Sequence, residues 1–253
     1  MRGQLCSISG GNYEKQIHHI LKKCIINGSP FHTQSESELG GSSSKNDIEC
    51  NFNSLHDIGI EVKKYNTPDW MQCSIRYNEP DKHWSASIMG KNTDGTQRIF
   101  NNILSGIYLF DGQIPIFYEK KITHDEWVQI KKESKTWNDY YMSIPNDTIR
   151  RLYHEKGCQY IQISDGYGLY HLGEDVCKFG VPIFEVEQQM RVRTKIHTRK
   201  DRDGYCNLSV TVACQPKNIN SLPISPYSLD DVTRLPPNLS YALPDAPDNN
   251  NFG

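Results

Sequence analysis

Residues 47–64, DIECNFNSLHDIGIEVKK, contain two runs of alternating apolar residues on either side of a turn-forming tetrapeptide at 53–56. Apolar residues at every second position are typical of half-buried strands, so this stretch predicts a β-hairpin. Glu61 and Lys63 are two residues apart on the second strand and therefore share one face of it. Because Asp47 opens the first strand, the hairpin gathers two carboxylates and one ammonium group.

A helix and a polar loop are predicted before this hairpin. Residues 12–27 carry apolar side chains at helical spacing, and Asn12 is a suitable N-cap. Glu14 then lies in the first turn, where a carboxylate interacts favourably with the helix dipole. The Gly- and Ser-rich stretch 29–46 is expected to be a loop with one short strand near Phe31.

Helices and strands alternate after the hairpin. A helix is expected over 67–78, starting at Thr67 and Pro68, and a second hairpin is expected to turn at Asp111-Gly112. The other predicted elements are a helix opened by the capping box Thr123–Glu126, a helix over 146–157, strands over 158–164 and 168–172, and a hairpin of the runs 181–198 and 205–214. This order predicts an α/β fold of the mixed α+β kind, with a central mixed β-sheet flanked by helices.

The composition excludes several classes of protein. The chain has 253 residues, a formal net charge of −2 and a mean hydropathy of −0.65, which is ordinary for one or two folded domains and excludes collagen and coiled coils. No stretch approaches the roughly 18 apolar residues of a membrane span, and no export signal is recognisable, so we expect a soluble, cytoplasmic protein. The eight cysteines have no C-x-x-C spacing, which predicts reduced thiols.

Paired carboxylates beside a lysine suit metal-assisted cleavage of phosphodiesters. Mg²⁺ prefers oxygen ligands and is usually held by one or two carboxylates together with water and phosphate. A neighbouring lysine can orient or deprotonate the attacking water, while the ion polarises the phosphoryl oxygen. Asp47, Glu61 and Lys63 offer this combination, so we expect a site that uses Mg²⁺ or Mn²⁺.

Over residues 12–78 the chain resembles the PD-(D/E)XK nuclease superfamily, and type II restriction endonucleases most of all. The resemblance is carried by Glu14 in the leading helix, Asp47 after a Gly/Ser loop, Glu61-Val62-Lys63 on the next strand, and a following helix that bears Gln72. It implies that Asp47 and Glu61 bind the metal, that Lys63 assists the attacking water, and that Glu14 helps to hold the metal or its water. Gln72 matches a glutamine found just after the motif in some branches and is expected to contact DNA. Asn46 stands where the superfamily's name-giving proline would be.

The resemblance also implies a domain organisation. A restriction-endonuclease-like core with additional C-terminal strands would place a nuclease domain at 1–214, with its catalytic core over about 12–120 and DNA-reading additions over about 121–214. Residues 215–253 hold seven of the thirteen prolines and are expected to form an extended or disordered tail. A homodimer is expected, because restriction enzymes of this kind resemble two-fold dimers that cut both strands of a palindrome.

Other triplets and a non-functional interpretation compete with this site. Glu-x-Lys also occurs at Glu119, which ends a predicted strand and has Asp111 or Asp81 upstream, and at Glu133, which falls in a predicted helix. In the non-functional interpretation the charges of 47–63 lie on a solvent-facing hairpin and pair across its strands.

A basic run provides a second candidate interface. Six basic residues and two acidic ones lie between 187 and 202. Alternate residues from Arg191 to His197 share one strand face, which could follow a phosphate backbone or could be an ordinary charged sheet face. The residues expected to contact double-stranded DNA are Arg191, Arg193, Lys195, Arg199 and Lys200.

The leading hypothesis is a Mg²⁺-dependent endonuclease that hydrolyses phosphodiester bonds of duplex DNA at a specific sequence. One alternative is a structure-specific repair or recombination nuclease that acts on branched DNA, as a resolvase does. The other is a non-catalytic DNA-binding protein, in which the hairpin charges are surface groups and the basic run carries the binding.

Overall fold

The computed structural model describes residues 2–36, 39, 45–52, 55–87, 93–198 and 201–242. Within these residues the α-helices are α1 (Arg2–Leu21), α2 (Asp94–Leu104), α3 (His124–Glu133) and α4 (Thr148–His154). The strands are β1 (Cys24–Ile26), β2 (Ser29–Pro30), β3 (His32–Thr33), β4 (Ile48–Phe52), β5 (Leu55–Lys63), β6 (Met71–Asn78), β7 (His83–Ala86), β8 (Tyr140–Ile144), β9 (Cys158–Ile163), β10 (Gly168–His171), β11 (Gln188–Thr198), β12 (Asn207–Pro216) and β13 (Leu239–Tyr241). The predicted mixed α+β class is confirmed.

The chain divides into two compact units that are interleaved in sequence. The first unit contains Met1–Thr67, Gly157–Phe184 and Leu222–Gly253, and the second contains Pro68–Lys156 and Glu185–Ser221. The predicted nuclease domain over 1–214 stays a prediction, and the two units cut across its boundary.

The first unit is built on a mixed sheet in the order β10-β9-β5-β4-β3. The predicted hairpin is present: β4 and β5 are antiparallel, with Ile48 opposite Ile60, while its turn at Asn53 and Ser54 lies outside the described residues. β9 pairs with β5 in parallel, which makes the sheet mixed. Ile60 and Val62 belong to a core that includes residues of α1, so alternation along β5 places Glu61 and Lys63 on the opposite face.

The leading helix differs from the one predicted over 12–27. α1 begins at Arg2 and ends at Leu21, so Asn12 lies inside the helix and is not its N-cap. Residues 24–26 form β1 instead of a last helical turn, because they pair with β13 on one side and β2 on the other. The pairing with β13 joins residues more than 200 positions apart, which the local apolar pattern does not reveal.

The proline-rich segment is folded as far as residue 242, so the expected extended or disordered tail is wrong for that part. Leu229 and Leu239 are buried in the core of the first unit. The guanidinium of Arg234 donates to the carbonyl oxygen of Gly166 at 3.1 Å. Prolines exclude long helices and central strands but do not prevent burial, which explains the error. Residues 243–253 lie outside the described part of the chain.

The second unit is built on an antiparallel sheet in the order β7-β6-β12-β11-β8. The predicted long hairpin is present as β11 and β12, with Lys195 opposite Ser209. The capping box is also present at α3: the Thr123 side chain accepts from the Glu126 backbone N–H, and the Glu126 side chain accepts from the Thr123 backbone N–H.

Two predictions in the second unit are wrong. The helix expected over 67–78 is instead the strand β6, where Met71, Cys73 and Ile75 are buried at every second position. The hairpin expected at Asp111-Gly112 is a pair of short 3-10 turns over 109–112 and 116–118, and buried Phe110 packs against aromatic rings that follow later in the chain.

No helix among the described residues is long and apolar enough to cross a membrane.

Candidate active site and nucleic-acid interface

Asp47, Glu61 and Lys63 converge on one face of the first unit's sheet. Asp47 directly precedes β4, and the other two residues are on the neighbouring strand β5. Their side chains face away from the α1 core because Ile48, Ile60 and Val62 occupy the alternating positions that face it. The predicted grouping of two carboxylates and one ammonium group is therefore present.

The Lys63 ammonium interacts with both carboxylates. Its Nζ donates a hydrogen bond to Glu61 Oε1 and lies 3.7 Å from Asp47 Oδ2. The side chains are 2% exposed for Glu61, 7% for Asp47 and 15% for Lys63. A charged group at such low exposure is stable only when it is paired, so each charge depends on the others.

Hydrogen bonds from β5 and from Gln34 fix the position of Asp47. The backbone N–H of Val62 donates to Asp47 Oδ2 at 2.9 Å, and the Gln34 side-chain amide donates to the Asp47 carbonyl oxygen at 3.2 Å. The N–H of Val62 is part of β5 itself, so this bond locks the carboxylate of one strand to the backbone of the next. A hydrogen bond to the charged form of a carboxylate favours that form.

Cys158 is a neighbour of the site that sequence reasoning missed. It is fully buried at the start of β9, and its thiol is 3.7 Å from Glu61 Oε2, within the range of a weak S–H···O bond. The two residues are 97 positions apart and meet only because β9 pairs with β5. No local pattern around residue 158 signals this contact.

Gly59 permits the close approach of two segments beside the site. A Cβ atom at this position would fall 2.6 Å from Asn46 Nδ2 and closer still to the carbonyl oxygen of Gly157. Asn46, the residue before Asp47, is thus packed against the backbone of β5. Any larger residue at position 59 would push apart the strand that carries Glu61.

Glu14 is half-buried in α1, next to Tyr13, whose ring is part of the core on the other face of the sheet. Since α1 begins twelve residues earlier, at Arg2, Glu14 is not a first-turn acid, and the dipole explanation for it is wrong. A role for Glu14 at the metal stays a prediction.

The donor set of the site fits Mg²⁺ or Mn²⁺ better than zinc. Asp47 and Glu61 supply carboxylate oxygens, and together with Lys63 the three groups carry a formal charge of −1. Mg²⁺ is commonly held by one or two carboxylates and keeps several waters, whereas a structural zinc ion takes four protein ligands. Among the described residues there is no group of three or more His, Cys, Asp or Glu side chains that could hold a metal ion.

The two competing triplets do not form a comparable site. Glu119 and Lys121 are exposed in the segment after a 3-10 turn and are not on a strand. Glu133 is exposed at the end of α3, where it accepts a hydrogen bond from Gln129. Neither glutamate has the burial or the lysine contact of Glu61.

In the second unit, two of the predicted DNA-binding arginines are held by acidic side chains. Arg191 NH1 lies 3.3 Å from Asp69 Oδ1, and its Nε donates to Asp139 at 3.1 Å. Arg193 NH1 lies 2.9 Å from Asp69 Oδ2, and its NH2 donates to Gln72 at 3.0 Å. Burial lowers the pKa of Arg191, but the bond to Asp139 and the two carboxylate charges outweigh it and raise that pKa.

Gln72 and Arg193, both predicted to contact DNA, are therefore brought together, but Gln72 lies on a strand and not on the predicted helix. Lys195 projects from the same face of β11 as the two arginines, opposite Ser209. Arg199 and Lys200 lie outside the described residues. The DNA-binding role of these five basic residues and of Gln72 stays a prediction.

Comparison with protein-family models finds no match, and comparison with curated protein sequences finds none either. Among solved structures, the chain is similar to HhaI endonuclease in complex with DNA, with a TM-score of 0.42 and 13% identity over 82% of this chain and 91% of that chain.

Proposed function

We propose that this chain is a metal-dependent DNA endonuclease of the restriction type, with Asp47, Glu61 and Lys63 as its catalytic groups. The observation that carries the proposal is the convergence of these three side chains on one sheet face, where Lys63 contacts both carboxylates. Two buried acids and one lysine are the groups that metal-assisted phosphodiester hydrolysis uses. The two competing Glu-x-Lys triplets offer no such arrangement.

Asp47 and Glu61 would hold the metal ion. Asp47 Oδ2 and Glu61 Oε1 both lie next to Lys63 Nζ, and the pairing of β4 with β5 holds the two segments that carry these acids in register. The formal charge of −1 on the three groups favours a divalent cation. When bound, the ion would polarise the phosphoryl oxygen and lower the pKa of a coordinated water.

Lys63 would act on the attacking water. Its ammonium has three N–H donors and can orient a water while it still contacts a carboxylate. It also offsets negative charge as a phosphate enters, which the two carboxylates alone would repel. The Ser164 N–H donates to the Lys63 carbonyl oxygen at 3.0 Å, which helps to fix the backbone from which this side chain projects.

The substrate proposed is double-stranded DNA cut at a specific sequence. Cleavage of both strands at a palindrome calls for two sites related by two-fold symmetry, so we propose a homodimer as the active form. Light scattering of the purified protein would report its mass in solution directly.

The test is an agarose-gel assay of the purified protein on long duplex DNA with millimolar Mg²⁺. We expect discrete fragments, none with EDTA, and none with Glu61→Gln, which keeps the side-chain shape and removes the charge. Glu133→Gln is the matched control, because it makes the same change in an exposed Glu-x-Lys triplet, and it should cut like the wild type. Intact DNA with every divalent ion, or equal cutting by Glu61→Gln, would contradict the proposal.

A second readout separates metal binding from catalysis. Calorimetric titration with Ca²⁺ or Mn²⁺ should show binding to the wild type that Asp47→Asn and Glu61→Gln each weaken. If the protein cuts only branched DNA, the proposal for the catalytic groups stands, but the enzyme recognises DNA structure and not a DNA sequence.

A further inference from the structure

A groove of about 690 Å³ lies in the second unit, along the end of the sheet formed by β6, β12 and β11. Apolar and aromatic side chains such as Leu208 and Phe117 form part of its lining, and polar side chains come from all three strands: Ser74 and Arg76 on β6, Asn207 and Ser209 on β12, and His197 on β11. Hydroxyl, amide, imidazole and guanidinium groups therefore line one depression, with Tyr118 at its edge.

Two cations, Arg76 in the groove lining and Lys195 beside the groove, carry no ion pair with any residue that the structure describes. Lys195 is opposite Ser209 in the β11–β12 register. Continuing the β12–β6 register one residue beyond Val210 and Ile75 places Arg76 on the other side of Ser209. Adjacent strands are about 4.8 Å apart, so the two cationic residues are separated by about 10 Å at the backbone and can both reach a ligand above Ser209.

The other end of the same strand face is different in charge. There Arg191 and Arg193 are paired with Asp69 and Asp139, and their side chains are only 19% exposed. These two arginines and two aspartates together carry no net charge, so they attract a phosphate less strongly than unpaired cations do. Positive charge that is free to meet an anion is therefore concentrated at the groove.

The remaining groove residues supply hydrogen-bond donors. His197 Nε2 and Ser209 Oγ are 2.6 Å apart, and Ser74 is half-buried on the neighbouring strand. Burial and the nearby charge of Lys195 lower the pKa of His197. Hydroxyl and amide side chains together with Arg and Lys are the groups that contact phosphate oxygens and sugars in protein–DNA complexes.

We propose that this groove binds the phosphodiester backbone of duplex DNA, with Arg76 and Lys195 as the charged contacts and Ser209 between them. The inference rests on the proposed function only in taking DNA as the ligand, because the groove belongs to the second unit and contains none of the proposed catalytic groups. It adds Arg76, His197 and Ser209 to the interface and removes Arg191 and Arg193 from its phosphate contacts.

The experiment measures the affinity for a duplex oligonucleotide by fluorescence anisotropy in EDTA, over a range of salt concentrations. Each phosphate contact contributes about 0.9 to the slope of log K against log[salt], so Arg76→Gln with Lys195→Gln should lower the slope by about 1.8. At 0.1 M salt this corresponds to an affinity about 60-fold weaker than that of the wild type. The charge-conserving pair Arg76→Lys with Lys195→Arg should keep most of the slope.

The matched control is Lys131→Gln with Lys132→Gln on α3, which removes the same net charge outside the groove lining. It should change the slope by less than half as much. The inference is overturned if the wild type and the groove variant have the same salt slope, or if the control lowers the slope as much as the groove variant does. Binding to duplex RNA as tight as binding to duplex DNA would also overturn it. Normal DNA binding that depends on the groove, without any metal-dependent cutting, would uphold it and reject the proposed nuclease activity instead.

Discussion

Replacing Lys63 by methionine removes the ammonium group that contacts both carboxylates of the proposed active site, while it keeps a long, flexible side chain. Asp47 and Glu61 would then remain as like charges with side chains only 7% and 2% exposed. Removing one partner of a buried ion pair costs about 3–5 kcal/mol of unfolding free energy. Because the Lys63 side chain is itself 15% exposed, we expect the low end, about 3 kcal/mol.

The assay is urea denaturation at neutral pH in EDTA. The double variant Lys63→Met with Glu61→Gln should have an unfolding free energy about 1 kcal/mol or more above that of Lys63→Met alone. One of the two uncompensated charges is gone, and coupling between contacting residues is of this size. Ca²⁺, which occupies oxygen sites, should stabilise Lys63→Met more than the wild type, because ligand binding to the folded state adds to its stability. Cleavage should be lost in both variants.

The control is Lys135→Met, the same substitution at the lysine of an exposed Glu-x-Lys triplet, which should change stability by less than about 0.5 kcal/mol. The reasoning is refuted if Lys63→Met is as stable as the wild type in EDTA, because Lys63 would then not balance the buried charge. It is also refuted if the double variant is no more stable than Lys63→Met alone.

Two further predictions concern stability alone. Gly59→Ala should cost about 1–3 kcal/mol, because its Cβ would clash with Asn46 and Gly157; the urea midpoint measures this, and an unchanged midpoint would contradict it. Thr123→Ala should cost about 1 kcal/mol through loss of the α3 N-cap, measured as a lower Tm. The hydrogen bond from the Thr123 backbone N–H lowers the pKa of Glu126 in the folded protein. The ionised carboxylate therefore stabilises the fold at pH values above its pKa in the unfolded chain. This contribution is lost as the pH falls through its pKa in the folded protein. Thr123→Ala melts that show no difference from the wild type would exclude the cap.

Local patterns predicted the elements whose partners are close in sequence. The β4–β5 hairpin, the capping box of α3 and the β11–β12 hairpin each depend on residues within about thirty positions of one another. Alternation, capping chemistry and turn residues are all visible over that distance. The predictions failed where distant pairing decides the structure, as for β1, which a strand near the end of the chain converts from helix to strand.

The helix predicted over 67–78 shows a second cause of error. Thr67 and Pro68 are typical of a helix start, but the buried side chains that follow recur at every second residue, which is the period of a strand. In this stretch a helix-start signal and a strand period compete, and the strand period decides the structure. Gln72 therefore lies on β6 and not on a helix, and it meets Arg193 across the sheet.

The candidate site was predictable to the extent that it lies on one hairpin. Spacing along β5 and the position of Asp47 before β4 gave the three residues that the structure brings together. The thiol of Cys158 and the acidic partners of Arg191 were not predictable, because each contact joins segments more than 50 residues apart. A basic run in a sequence shows positive charge but not the carboxylates that the fold places against it.

The burial of Glu61 argues against the interpretation of these charges as an ordinary surface hairpin. That interpretation requires exposed groups that pair across strands in water, yet Glu61 lies on β5 between β4 and β9 and its side chain is 2% exposed. Proteins in which well-packed apolar residues of similar volume replace a buried ion pair are commonly as stable as the original protein, or more stable. Stability alone therefore does not account for two acids and a lysine here. Their arrangement is accounted for if the carboxylates hold a divalent ion and the lysine acts on the water that attacks a phosphate.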